Sequence, residues 1–328
     1  SGVFNITGAA WLMDAEGAPN VPAMLLALII VMFCSTLSAL SALSGVGKGI
    51  KWLSNINMGL SFFLLAFFLL FGSTMFAFKA LILGMWDYII ALPSMSLTIW
   101  NSDGNAESEI SKLAGWQGGW TIFYWAWWIA FAPFVGMFLA RISRGRTIRE
   151  FVLGAMFVPS LMCFVWFAWA GGTAIDLELN GGANGVIFDA ANGDKIFAMT
   201  EFMLAPISEW LAWGVALLIV VLLMTFLITS ADSAVLIVNT INAGGDEGPK
   251  ARPHILFWGV ALGLVVAGLL ISGGTSAIKM AMVIGALPFS IVLVLMSFSL
   301  VMAIYFDGHR EAAGVQTTFA SKKNTTTE

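Results

Sequence analysis

Two stretches of this 328-residue chain carry side chains whose types and spacing could do chemistry. The first runs Trp120-Thr121-Ile122-Phe123-Tyr124-Trp125-Ala126-Trp127-Trp128-Ile129-Ala130-Phe131-Ala132-Pro133-Phe134. Aromatic side chains in membrane proteins gather at the two ends of a span; this cluster runs from one end to mid-span and then meets a proline. At about 100° per helical residue, Tyr124, Trp128 and Phe131 share one face, Trp125 lies beside it, and Trp127 points away. Pro133 cannot donate to the carbonyl of Ile129, which weakens the helix there. A carbonyl freed at membrane depth is tolerated only where protein or a cavity covers it. Ring faces attract a cation that has no N–H to donate, such as a quaternary ammonium, by roughly 0.5–2 kcal/mol per contact. Two readings account for the pattern: an aromatic cage for such a cation, or a packed aromatic helix in a core.

The second stretch is Phe226-Leu227-Ile228-Thr229-Ser230-Ala231-Asp232-Ser233. Hydroxyl and carbonyl oxygens suit a hard monovalent cation such as Na⁺, and polar groups at membrane depth are costly unless used. Thr229 and Ser230 are adjacent, so at most one points straight at a given site. The alternative is that each bonds the carbonyl one turn back. Asp232 lies in the last third of the same apolar run. It reads as a gate closed by a basic loop residue, as a proton or ion relay, or as half of a structural ion pair. No HExxH, GxSxG, P-loop or metal-ligand spacing occurs. With no nucleophile–base pair at membrane depth, an enzyme is not expected, and no cofactor is expected beyond a bound Na⁺.

The elements that hold these residues follow from composition. Apolar residues make up 59% of the chain and charged residues 10%, against roughly 45–50% and about 25% in soluble domains. That excludes a soluble enzyme, a nucleic-acid binder and a disordered chain, and the continuous apolar runs exclude a transmembrane β-barrel. Seven runs reach the length of about 20 residues that a bilayer crossing needs: 22–44, 58–78, 120–140, 150–170, 211–236, 255–272 and 283–306. Alternate connections hold Lys48 and Lys51, then Arg141, Arg144, Arg146 and Arg149, then Lys250 and Arg252, then Arg310, Lys322 and Lys323. The positive-inside bias puts these, and the C-terminus, in the cytoplasm. The acidic residues from Asp103 to Glu109 and from Asp176 to Glu209 fall on the opposite side. Residues 79–118 include the stretch KALILGMWDYIIALP from Lys79 to Pro93, expected to lie as an amphipathic helix in the outer interface. Residues 171–210, rich in Gly and Asn, read as an exterior loop, and the polar tail after Phe306 as mobile. Ser44-Gly45-Val46-Gly47 and Ser272-Gly273-Gly274 form small-residue turns on opposite faces, as an inverted repeat gives. Cys34 and Cys163 sit in apolar runs and read as buried small hydrophobes rather than a disulfide. The start at Ser1, without Met or signal pattern, reads as the C-terminal part of a longer protein.

The stretch from Phe123 through Phe151, FYWAWWIAFAPFVGMFLARISRGRTIREF, resembles the Trp-rich signature of the betaine/choline/carnitine transporters. The segments SALSGVGKGIKWLSNINM and FLITSADSA resemble two further blocks of that family, in the expected order and spacing. The resemblance implies an all-α integral membrane protein with the five-plus-five inverted-repeat fold of neurotransmitter:sodium symporters, N-terminally incomplete, with about seven transmembrane helices present. On that template residues 1–78 end the first repeat, 79–118 form the connector, 119–306 form the second repeat and 307–328 the cytoplasmic tail. It implies Na⁺-coupled symport of glycine betaine, choline, carnitine or dimethylsulfoniopropionate by alternating access, in a multi-pass cell-membrane homotrimer contacting lipid. A Na⁺-independent substrate/product exchanger of the same family is the alternative. Trp128 resembles the cage tryptophan, flanked by Trp125 and Trp127, and Phe131 stands where many members have tryptophan at the outer gate. Phe134 resembles an aromatic near the second sodium site, while Phe226, Thr229 and Ser230 resemble one helix's share of the principal sodium site. The retained hydroxyls favour sodium coupling, and the short, mildly basic tail favours constitutive uptake over osmotic activation.

Overall fold

A computed structural model describes residues 7–8, 21–44, 51–143, 145–245 and 252–315. The regular elements among them are helical: α1 (Val21–Ser44), α2 (Lys51–Phe71), α3 (Thr74–Leu97), α4 (Glu109–Gln117), α5 (Phe123–Ile142), α6 (Ile148–Val152), α7 (Val158–Trp166), α8 (Gly172–Leu179), α9 (Lys195–Leu204), α10 (Glu209–Asn242) and α11 (Arg252–Ala312). Single π-turns at Gly118–Ile122, Leu153–Phe157 and Phe167–Gly171 join α4 to α5 and run α6, α7 and α8 together. Among the described residues six helical stretches are long and apolar enough to cross a membrane: Lys51–Phe71, Thr74–Leu97, Glu109–Ala140, Ile148–Leu179, Glu209–Asn242 and Pro253–Ala312. The last is broken at Gly273 and Gly274. Gly274 has φ of 61°, a left-handed conformation that glycine adopts without steric cost, so the expected turn between the runs 255–272 and 283–306 is where the helix breaks. The companion turn at 45–47 lies outside the described residues, as do Lys48, Arg144, Lys250 and the tail beyond residue 315.

The expected span 58–78 is divided differently. α2 begins at Lys51 and stops at Phe71, and α3 begins at Thr74, inside that span and ahead of the connector expected from 79. The cause is the joint Gly72-Ser73. A Cβ on Gly72 would collide with the Phe68 carbonyl and the Thr173 hydroxyl. The Thr173 hydroxyl donates to the Trp169 carbonyl at 2.6 Å and accepts from the Ser73 N–H at 3.1 Å, and the residue is 1% exposed. A hydroxyl from α8 therefore satisfies the first backbone donor that the helix break sets free. By length and composition α3 is one of the six stretches apolar enough to cross a membrane.

The chain forms two compact units, residues 1–98 with 137–274, and residues 99–136 with 275–328. In the first, α10 packs against α1, α2 and α9. Its core gathers Leu64, Phe67 and Phe68 of α2, Ala77 of α3, Trp169, then Ile187, Phe197, Met199 and Leu204, and Val215, Ile219 and Leu222 of α10. Residues 171–210 are thus a folded cap that supplies core, not a plain loop. Glu178 holds it: Oε2 accepts from the Gly185 N–H at 2.8 Å, and Oε1 from the N–H groups of Ile187 and Phe188, each at 2.7 Å. The basic connection ends in a capping box, in which Thr147 Oγ1 accepts from the Glu150 N–H and Glu150 Oε2 from the Thr147 N–H. Both cysteines are free, but only Cys34 is buried; Cys163 is exposed, correcting the reading of both as buried.

In the second unit the connector is ordered by Asp103. Its carboxylate accepts from the hydroxyls of Ser111 and Ser108 and from the Asn105 N–H, which holds the group below the usual aspartate range. Ser108 caps α4 by accepting from the Ser111 N–H at 3.1 Å.

Candidate functional site

The aromatic stretch lies on α5, which opens directly after the π-turn Gly118–Ile122 and runs helically through Pro133. A side chain on a helix leans back over the preceding turn, and the rings follow that rule. Trp120 meets Tyr124 at 6.2 Å between centroids, Phe123 meets Trp127 at 5.7 Å, and Tyr124 meets Trp127 at 6.2 Å. Tyr124 therefore turns toward Trp120 and Trp127 rather than sharing a ring contact with Trp128, as the helical wheel suggested. Phe131 and Phe134 pair at 4.9 Å. Among the described residues no ring contact engages Trp125 or Trp128, which are 66% and 62% exposed and three residues apart on one side of α5. The helix already holds one cation by a ring face: the Lys279 ammonium of α11 sits 4.9 Å from the Phe123 ring centroid, in the same unit.

The hydroxyl stretch lies in the middle of α10, in the other unit. Thr229 Oγ1 lies 3.1 Å from the Thr225 carbonyl and 3.0 Å from that of Phe226, so its one proton bonds back along the helix. The adjacent Ser230 is exposed, while Thr229 is half-buried. Phe226 is 47% exposed, and its carbonyl is one of the acceptors of Thr229. Asp232 is completely buried, the setting in which a carboxylate has to be held by its surroundings. Ser233 donates to the Thr229 carbonyl at 3.1 Å. Of the residues singled out in the sequence, the structure brings Tyr124 to Trp127, Phe131 to Phe134 and Thr229 to Phe226, while the aromatic and hydroxyl groups belong to separate units.

One residue of this neighbourhood was not singled out. Asn57 of α2 is 4% exposed, and its Nδ2 donates to Thr229 Oγ1 at 3.3 Å, linking α2 to α10. The signal for it was Ser54-Asn55-Ile56-Asn57, two amides entering an otherwise apolar run. A cavity of about 250 Å³ lies elsewhere in the same unit, lined by Phe197, Thr200, Glu201, Glu209 and Trp213 among others, and includes none of the predicted site residues.

Comparison with known proteins gives the family. Residues 14–309 match the family described as BCCT, betaine/carnitine/choline family transporter. The chain belongs to that family. It is 38% identical over 289 residues to a glycine betaine transporter of Bacillus subtilis, covering 88% of this chain and 53% of that protein. It is 36% identical over 322 residues to an osmo-independent choline transporter of Acinetobacter baylyi, covering 96% of this chain and 58% of the other. An ectoine/hydroxyectoine transporter of Virgibacillus pantothenticus is 38% identical over 261 residues, 79% of this chain and 49% of that one. The chain spans about half the length of the curated relatives it matches. As a BCCT chain it has the helices of a multi-pass membrane protein.

Proposed function

We propose that this chain is part of a secondary transporter that carries a small onium osmolyte across the cell membrane, coupled to inward Na⁺ flow. The observation that carries the reading is the pair Trp125 and Trp128, whose indoles make no ring contact within the described residues and lie three residues apart in a BCCT chain. A methylated cation offers no N–H to a polar pocket, and two indole faces bind it without one. Glycine betaine, choline, carnitine and dimethylsulfoniopropionate share that chemistry. The relatives' names support the first two; the ectoine relative widens the range to another zwitterion with a delocalised cation. Trp127, committed to Phe123 and Tyr124, acts as the packed back of the cage; Phe131 belongs to its outer gate, its ring paired at 4.9 Å with Phe134, the aromatic near the second sodium site.

For the coupling ion, the donor set on α10 fits Na⁺: a hydroxyl at Thr229 whose lone pairs face away from its own helix, and a second hydroxyl at Ser230. The ion would supply the electrochemical drive, and these side chains would bind and orient it. Asp232, buried three residues further along α10, serves as the charge that holds the cytoplasmic side closed. The five-plus-five repeat, the homotrimer and the cytoplasmic C-terminus complete the reading, with alternating access by one repeat rocking on the other.

The test is uptake of labelled glycine betaine and choline into proteoliposomes holding the protein expressed from its whole reading frame. Uptake is expected to need an inward Na⁺ gradient, and Thr229→Ala with Ser230→Ala to abolish the Na⁺ stimulation. Equal uptake without Na⁺, accelerated by unlabelled substrate inside, would instead make it an exchanger.

A further inference from the structure

The amide of Asn57 is half satisfied. Its Nδ2 donates to Thr229 Oγ1 at 3.3 Å, while its Oδ1 is fully buried and has no hydrogen-bond partner among the described residues. The residue is 4% exposed, so bulk water does not supply the missing bond. A buried acceptor left unmade costs about 1–3 kcal/mol, and native structures leave few such groups without an unseen water or ion. Turning the amide round does not remove the problem, because it would bury the two N–H donors unpaired in place of one acceptor.

The partner that suits this acceptor is narrowed by its neighbours. Thr229 cannot donate to it while its proton bonds to the Thr225 and Phe226 carbonyls at 3.1 and 3.0 Å. Its hydroxyl oxygen keeps one lone pair beyond the one that accepts from Asn57. Two neutral oxygens, an amide carbonyl and a hydroxyl, therefore stand on facing helices with acceptor capacity left over. A hard monovalent cation is what neutral oxygens of this kind bind.

We propose that Asn57 Oδ1 is a ligand for the coupling cation beside Thr229, so that the ion ties α2 to α10. This rests on the sodium reading of Thr229 given above and adds to it a residue on a second helix. The same amide then does two things: its N–H fixes the rotamer of the Thr229 hydroxyl, and its carbonyl enters the ion's shell. Ion binding and the packing of α2 on α10 become one equilibrium, with the ion stabilising the closed pair.

The experiment is a NaCl titration of the purified protein from its whole reading frame, read as thermal unfolding, with ionic strength held by N-methyl-D-glucamine chloride. No transport is measured. Wild type is expected to show saturable stabilisation by Na⁺. Asn57→Ala is expected to raise the Na⁺ midpoint by at least the order of tenfold that loss of even an outer-shell partner costs a metal site. Asn57→Asp, which keeps an oxygen and loses the N–H donors, is expected to hold or lower the midpoint. Asn57→Ser covers the case in which the alanine variant does not fold, with a smaller rise than that of Ala.

If Asn57→Ala and Asn57→Ser stay within about twofold of wild type while Thr229→Ala loses the Na⁺ response, the proposal fails and the sodium reading of Thr229 stands. If Asn57→Asp weakens binding as much as Ala does, Asn57 is a strut for Thr229 and not a ligand, and the proposal again fails. A wild type that shows no response to Na⁺ removes both readings together.

Discussion

An indole and a leucine side chain are both large and apolar, but only the indole offers a negative ring face to a cation. Trp128→Leu therefore tests the cage without opening a large hole. It is expected to raise the KM for onium uptake by about tenfold or more, the equivalent of roughly 1.4 kcal/mol, and Trp128→Phe by less. The matched change Trp127→Leu should behave differently, since that ring packs on Phe123 and Tyr124 at 5.7 and 6.2 Å. Its expected signature is a lower unfolding temperature with little selective change in KM. Initial-rate uptake and a melting curve on the same preparations separate the two. Equal KM values for wild type and Trp128→Leu would take Trp128 out of the site.

At the scale of elements, the joint between α2 and α3 is the most specific construction in the first unit. Thr173→Val keeps shape and volume but strands the Ser73 N–H, and is expected to cost about 1–3 kcal/mol. Thr173→Ser should recover most of it, and Gly72→Ala should destabilise by driving a methyl into the Phe68 carbonyl and the Thr173 hydroxyl. Thermal unfolding in one detergent orders the series; a Val variant as stable as wild type would show that the joint does not depend on this hydroxyl. The same joint shows how far residue patterns reach. Apolar runs near 22–44, 211–236 and 255–272 were legible because about 20 apolar residues leave few other options, and α1, α10 and the first part of α11 lie there. The break at 72–73 was not, because its cause sits on another helix a hundred residues away. The ring pairs of α5 were not legible for a related reason: a wheel fixes Cα directions, while rotamers decide that the Tyr124 and Trp127 rings meet. Asn57 escaped because its significance is its partner on α10, 172 residues along the chain.

For the whole molecule the open variable is sidedness. The helical stretch Ile148–Leu179 has 32 residues, so it reaches about 48 Å at 1.5 Å per residue, ample for one crossing. With the native cysteines replaced by Ser, Cys34 and Cys163 among them, a cysteine introduced at Arg146 is expected to resist a membrane-impermeant thiol reagent added to intact cells. One at Asn184, past the far end of the stretch, should react. Reaction of both from outside would refute the crossing and the assignment of the basic connection to the cytoplasm. The Glu178 clasp has a further implication at this scale. All three donors to its carboxylate are main-chain N–H groups of Gly185, Ile187 and Phe188, so the architecture of that surface depends on one acid and a backbone path. The same stretch is also pinned by buried Ala183 and Ile187 and by positive φ at Gly182, Asn184 and Gly185, so sequence drift there is left to outward positions such as Val186 while the main-chain route is inherited unchanged.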